Sequence, residues 1–130
     1  MNEGLKKYAK ADLLGFQKKF KEGIDTLETV LYQFKGQNIE DDALFKQAQY
    51  YWKTGSYTAA ENNLLAILDH HQESLFTDDA LFNLALLYEQ HLSNPARAKE
   101  MYEKIIFDFP SSIYLVPARK AFRKLRGDDL

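Results

Sequence analysis

Cysteine is absent from this chain of 130 residues, so disulfides, thiolate metal sites and thiol nucleophiles are all excluded. Glycine and proline are scarce, six and three, too few for a fold built on many tight turns. An excess of charge of one sign is also missing. Seventeen basic against nineteen acidic side chains leave a net charge of −2, so no global field draws the chain to nucleic acid or anionic lipid. Long apolar runs are lacking too: Leu81 to Tyr88 is free of charge, but far shorter than the roughly 20 residues a membrane helix needs. Behind Lys6 and Lys7 there is no apolar signal core of about 7 to 15 residues. The expectation is a protein that is not exported, or a piece of a longer chain.

What is present favours helices. Apolar residues make up 45% and charged residues 28%, a composition that can bury a core and should fold as one domain. Leu, Ala, Lys, Glu and Tyr are plentiful, which favours helix over strand. The five letters Asp-Asp-Ala-Leu-Phe at 41–45 return at 78–82, a shift of 37 residues. The same shift brings Ala48 onto Ala85 and Tyr51 onto Tyr88. With one extra residue in the second copy, Ala60, Leu64 and Ile67 meet Ala98, Tyr102 and Ile105. A weaker copy runs through Ala11, Leu14, Phe20, Gly23, Leu27 and Val30. Three units fit, about the minimum for a stacked repeat.

Within each unit, small and apolar residues recur three and four positions apart, as in Leu44, Ala48, Tyr51 and then Ala60, Leu64, Ile67, Leu68. This is the one-sided stripe of an amphipathic helix, and each unit holds two such helices. A break stands between them: Gly55-Ser56 in the middle unit and Ser93-Asn94-Pro95 in the last, where Asn94 suits a cap and Pro95 the first helical position. Alanines at 48 and 60, like those at 85 and 98, let paired helices approach closely, while Tyr51, Tyr57, Leu64, Tyr88 and Tyr102 fill the grooves beside them.

Chemistry finds little support. His70 and His71 are neighbours that point apart on a helix, His91 ends another, and no metal-ligand spacing links them, so solvated helix ends are the expectation. Asp41-Asp42 and Asp78-Asp79 each open a helix, where the dipole favours negative charge, and capping is preferred to an acid–base dyad. No Gly-rich phosphate loop or nucleophile elbow occurs. The chain therefore reads as non-enzymatic, with no cofactor and no metal. Arg126-Gly127-Asp128 spells an integrin-binding tripeptide at a helix end, as expected by chance.

The order small-x-x-Tyr-x-x-x-Gly-x-Tyr-x-x-Ala-x-x-x-Leu at Ala48, Tyr51, Gly55, Tyr57, Ala60 and Leu64 resembles the tetratricopeptide repeat (TPR) family. Ala85, Tyr88, Ala98, Tyr102 and Pro110 resemble a second copy. The pattern departs from the family in Leu44 and Leu81, which replace the common tryptophan, and in Gln72, which replaces the closing proline. Its period of 37 residues also exceeds the usual one of about 34. The phrasing of residues 78–114 is similar to TPR segments of bacterial envelope proteins.

The resemblance implies an all-α, right-handed α-solenoid of three TPR-like hairpins plus a C-terminal capping helix, about seven helices in one domain. Residues 1–37 form the degenerate repeat, 41–73 and 78–110 the clear ones, and 113–126 the cap. The regular part of the last helix is expected from Val116 to Arg126, with Gly127 ending it and Pro117 confined to its first turn.

The resemblance also implies that the first helix of each hairpin lines a concave wall. On that wall fall Tyr8, Asp12, Phe16, Phe45, Gln49, Trp52, Lys53, Phe82, Leu86 and Glu89. Aromatic residues are preferred anchors at interfaces, so a groove for a peptide or protein segment follows. Phe45 and Phe82 share one slot and are expected to pack on the neighbouring hairpin, whereas Trp52 and Phe16 do not repeat and are assigned to binding. The function implied is a protein-interaction scaffold. The alternative is an architectural end segment of a longer repeat protein that mediates assembly, or dimerises through its N-terminal unit, in a bacterial envelope complex. A fragment of a longer protein favours the bacterial periplasm or envelope; otherwise the cytoplasm is expected. Neither nucleic-acid binding nor membrane insertion is expected, and the basic last helix is a secondary candidate for an acidic tail or phosphate.

Overall fold

The computed structural model describes residues 2–70 and 74–127. Among them the chain is helical throughout, with seven helices and no strand: α1 (Glu3–Phe16), α2 (Phe20–Gln33), α3 (Ile39–Lys53), α4 (Tyr57–His70), α5 (Thr77–Gln90), α6 (Pro95–Asp108) and α7 (Leu115–Arg126). They pair as α1 with α2, α3 with α4, and α5 with α6, with α7 lying against α6. This is the TPR-like helical repeat that the 3–4 spacing predicts. The residues fall into two compact units, Met1–Ser74 and Leu75–Leu130.

Local chemistry sets the ends of the helices. The side chain of Asn2 accepts the Leu5 amide at 2.7 Å and so caps α1. Gly55 has φ +80° and turns the chain between α3 and α4, a conformation that a side chain would strain. Asn94 accepts the Arg97 amide at 3.2 Å, and Pro95 takes the first position of α6, as their order predicts. Gly127 closes α7 in the left-handed conformation, at φ +92°. Pro117 is the third residue of α7, where its missing N–H has no intrahelical partner to lose.

In the first unit the core gathers Ala11, Leu27, Val30, Ala43 and Tyr50, with Tyr8, Phe20, Ile24, Leu31, Phe34 and Ile39 packed around it. Ala48, Ala60, Leu64 and Ile67 are also buried, as the small-residue pattern requires. In the second unit the buried residues are the equivalent Leu81, Ala85, Tyr88, Ala98, Tyr102 and Ile105, joined by Leu84, Leu87, Met101 and Ala118. No helix among the described residues is long and apolar enough to cross a membrane.

Candidate functional site

In the first unit α1 and α3 lie side by side and form the face that carries most of the candidate residues. Tyr8, Asp12 and Phe16 are four apart and form one stripe on α1. On α3, Phe45, Gln49, Trp52 and Lys53 share a face. One ion pair and one charge interaction relate the two helices. Lys46 pairs with Asp12 at 2.9 Å, and Tyr8 feels the charge of Asp42. Both pairs are 34 residues apart in sequence, so α3 is the in-register neighbour of α1. Tyr8 is half-buried against the core of the first unit, and burial first, then Asp42 and Asp12, push its hydroxyl up to about 12.

The remaining residues of the face are more open. Phe16 is 82% exposed, Gln49 and Lys53 are exposed, and Phe45 and Trp52 are half-buried. In the second unit Phe82 stacks on Tyr114, with ring centroids 4.4 Å apart and planes within 15°. Its edge meets Tyr102 at 5.9 Å. Glu89 accepts the Tyr102 hydroxyl at 2.8 Å, and burial first, then that bond, pushes the Tyr102 hydroxyl up from its ordinary value. Phe82 and Glu89 thus fasten α5 to its neighbours, while Leu86 is half-buried.

Two side chains that periodicity did not single out organise the first unit. Tyr50 is buried, 6% exposed, and its hydroxyl donates to the Ala11 carbonyl at 2.8 Å. A Cβ on Gly15 would stand 2.0 Å from that hydroxyl oxygen, and one on Gly23 2.7 Å from the ring. The tyrosine thus fills a notch made by two glycines, with Phe20 against it at 5.4 Å. Burial and Asp12 raise its hydroxyl, opposed by the Gly15 N–H. A glycine inside a helix costs up to about 1 kcal/mol against alanine, so Gly15 and Gly23 were the available signal for this close approach.

The second is Gln47, 1% exposed on α3. Its amide nitrogen donates to the Ile24 carbonyl at 3.1 Å and to Glu28 at 3.0 Å, while its oxygen accepts from Asn63 at 2.8 Å. Asn63 also donates to the Leu44 carbonyl at 3.2 Å, so a satisfied polar network ties α2, α3 and α4 together.

The acidic pairs stand in the first turns of α3 and α5, while the capping positions themselves are Asn38 and Phe76, neither making a side-chain cap bond. The second pair has further work. Ser112 donates to Asp78 at 2.6 Å and Tyr114 to Asp79 at 2.5 Å, clasping the segment before α7 to the start of α5. Among the described residues no three His, Asp or Glu side chains gather as a metal site. His71, Gln72, Asp128 and the side chain of His70 lie outside the described residues.

Residues 79–112 of this second unit, from the start of α5 to just before α7, fit the family model described as tetratricopeptide repeat. The last hairpin is thus similar to a tetratricopeptide repeat. The chain is also 34% identical over 71 residues to the outer membrane protein assembly factor BamD of Neisseria meningitidis serogroup A. That match takes in 55% of the chain and spans about a quarter, 26%, of the length of the relative.

Proposed function

We propose that the chain is a non-enzymatic protein-interaction scaffold of a bacterial envelope assembly, capturing a peptide or protein segment on the first helices of its hairpins. The observation that carries this reading is Phe16, a large aromatic side chain left 82% exposed on the α1 face whose register α3 fixes. An aromatic anchor kept out of the core, with the amide of Gln49 and the ammonium of Lys53 on the adjoining helix, is the composition of an interaction surface. Trp52 adds a half-buried wall, and in the second unit Leu86 of α5 is half-buried as well. Phe82 and Glu89, held by their own unit, support the wall. The likeness to a protein named as an outer membrane assembly factor supports placing the function in the envelope.

The test is photocrosslinking from a benzophenone side chain introduced at Gln49, in cells and in envelope extracts, with and without Phe16→Ala and Trp52→Ala. A discrete crosslinked protein should appear and be lost in both variants, at an unchanged melting temperature. Crosslinks that persist in the variants, or a Trp52→Ala protein that no longer folds, would assign these rings to packing instead.

A further inference from the structure

The second unit holds another surface, on α6 and α7 and made of different residues. A cleft of about 450 Å³ opens elsewhere near Asn2 and Asp42; the one between α6 and α7 is smaller, about 250 Å³, but chemically far more distinct. It is lined by Ile106, Phe107 and Phe122 together with Arg119, Arg123 and Arg126. Phe107 is 73% exposed although it stands in the last turn of α6. The Arg126 guanidinium lies over the Phe122 ring, 5.2 Å from its centre. No carboxylate among the described residues pairs with Arg119 or Arg123. Over its whole length α7 carries Arg119, Lys120, Arg123, Lys124 and Arg126 and no acidic residue.

We infer that this cleft docks an acidic peptide segment whose carboxylates pair with the arginines while an apolar side chain enters between Phe107 and Phe122. Three arguments select that occupant. Five cations on one short helix are too costly to bury against a further apolar hairpin, so the outer face of α7 suits a partner that brings negative charge. Arg119, Arg123 and Arg126 are spaced along about 10 Å of helix, which matches several carboxylates distributed along a segment rather than one compact dianion. The guanidinium fork binds carboxylates in pairs of hydrogen bonds, and the exposed Phe107 beside the half-buried Phe122 gives an apolar side chain of the same segment a surface to cover.

The test uses the full chain and a fluorescein-labelled dodecapeptide of aspartate and glutamate with phenylalanine or leucine at every fourth position, followed by anisotropy. Binding should weaken steeply as salt screens the charges. Arg119→Ala with Arg123→Ala should raise Kd about tenfold, a change of about 1.4 kcal/mol. Phe107→Ala, at an exposed position that spares the fold, should do the same. The proposal is overturned if the asparagine and glutamine version of the peptide binds as well, if these variants bind undiminished, or if wild-type protein ignores the peptide and partitions onto phosphatidylglycerol vesicles. Phe16→Ala and Trp52→Ala should leave peptide affinity unchanged, which separates this cleft from the α1–α3 face.

Discussion

Gly15→Ala is the sharpest probe of how the first unit is assembled. The added methyl would stand 2.0 Å from the Tyr50 hydroxyl oxygen and 2.6 Å from the carbon that bears it. The ring has no room to retreat, because the Gly23 side of the notch is as tight and Phe20 packs against the ring. Overpacking of this kind costs about 1–3 kcal/mol, and pulling the hydroxyl off the Ala11 carbonyl about 1 kcal/mol more. Better helix propensity offsets up to about 1 kcal/mol, leaving a net loss of about 2 kcal/mol. The chain has a single tryptophan, Trp52, two residues from Tyr50 on the same helix, so its fluorescence reports this unit. With a urea slope of about 1–2 kcal/mol per molar, the midpoint should fall by about 1–2 M. In a Tyr50→Leu background the same glycine substitution should be neutral or mildly stabilising, because the hydroxyl and ring that it strikes are gone. An unchanged midpoint in the single variant, or an undiminished penalty in the Tyr50→Leu background, would refute the notch.

Other perturbations test the rest of the architecture. Gln47→Leu keeps the volume but removes three hydrogen bonds from a buried network, and should lower stability by about 1–3 kcal/mol in the same urea assay; no loss would show the network to be idle. Ala60→Leu forces a larger side chain into a fully buried site and should cost about 1–3 kcal/mol, whereas a midpoint matching wild type would deny close helix approach there. Burial, and then Asp79, push the Tyr114 hydroxyl up to about 12, from an ordinary value of 10. The unfolded chain therefore ionises first as pH rises, and the contribution of Tyr114, complete below pH 10, should drain away between about 10 and 12. Alkaline melting curves should be shallower for Tyr114→Phe; identical pH dependence would remove Tyr114 from the clasp.

The hairpins were legible because burial of one helical face writes itself into sequence every third or fourth residue, and because Gly55 and Asn94-Pro95 punctuate the chain chemically. Position 50 was not legible. Tyr50 and Tyr51 are adjacent and point about 100° apart on a helix, and the periodic pattern selects Tyr51 as the groove filler. The structure buries Tyr50 and leaves Tyr51 half-open beside Lys21, Asp25 and Thr54, because only the former meets a surface cleared by glycines from two other helices. Gln47 was hidden for a related reason, since a buried amide becomes acceptable only when Ile24, Glu28 and Asn63 converge from elsewhere in the chain. On the candidate wall, Phe16 and Phe82 were chosen by the helical stripe on which each lies. Repetition of the slot marked Phe82 for packing, and its absence marked Phe16 for binding. The pattern did not name Tyr102 and Tyr114 as the rings that meet Phe82, while Phe16 stays 82% exposed.

A side chain lodged crosswise between helices behaves as a mechanical detent. For α3 to creep along α1 by even one residue, the Tyr50 phenol would have to climb out over a Cβ of Ala11 or a neighbouring turn, abandoning its carbonyl on the way. Traction along the helix axes should therefore be resisted until α3 lifts off as a whole, giving the first unit an abrupt yield rather than gradual slippage.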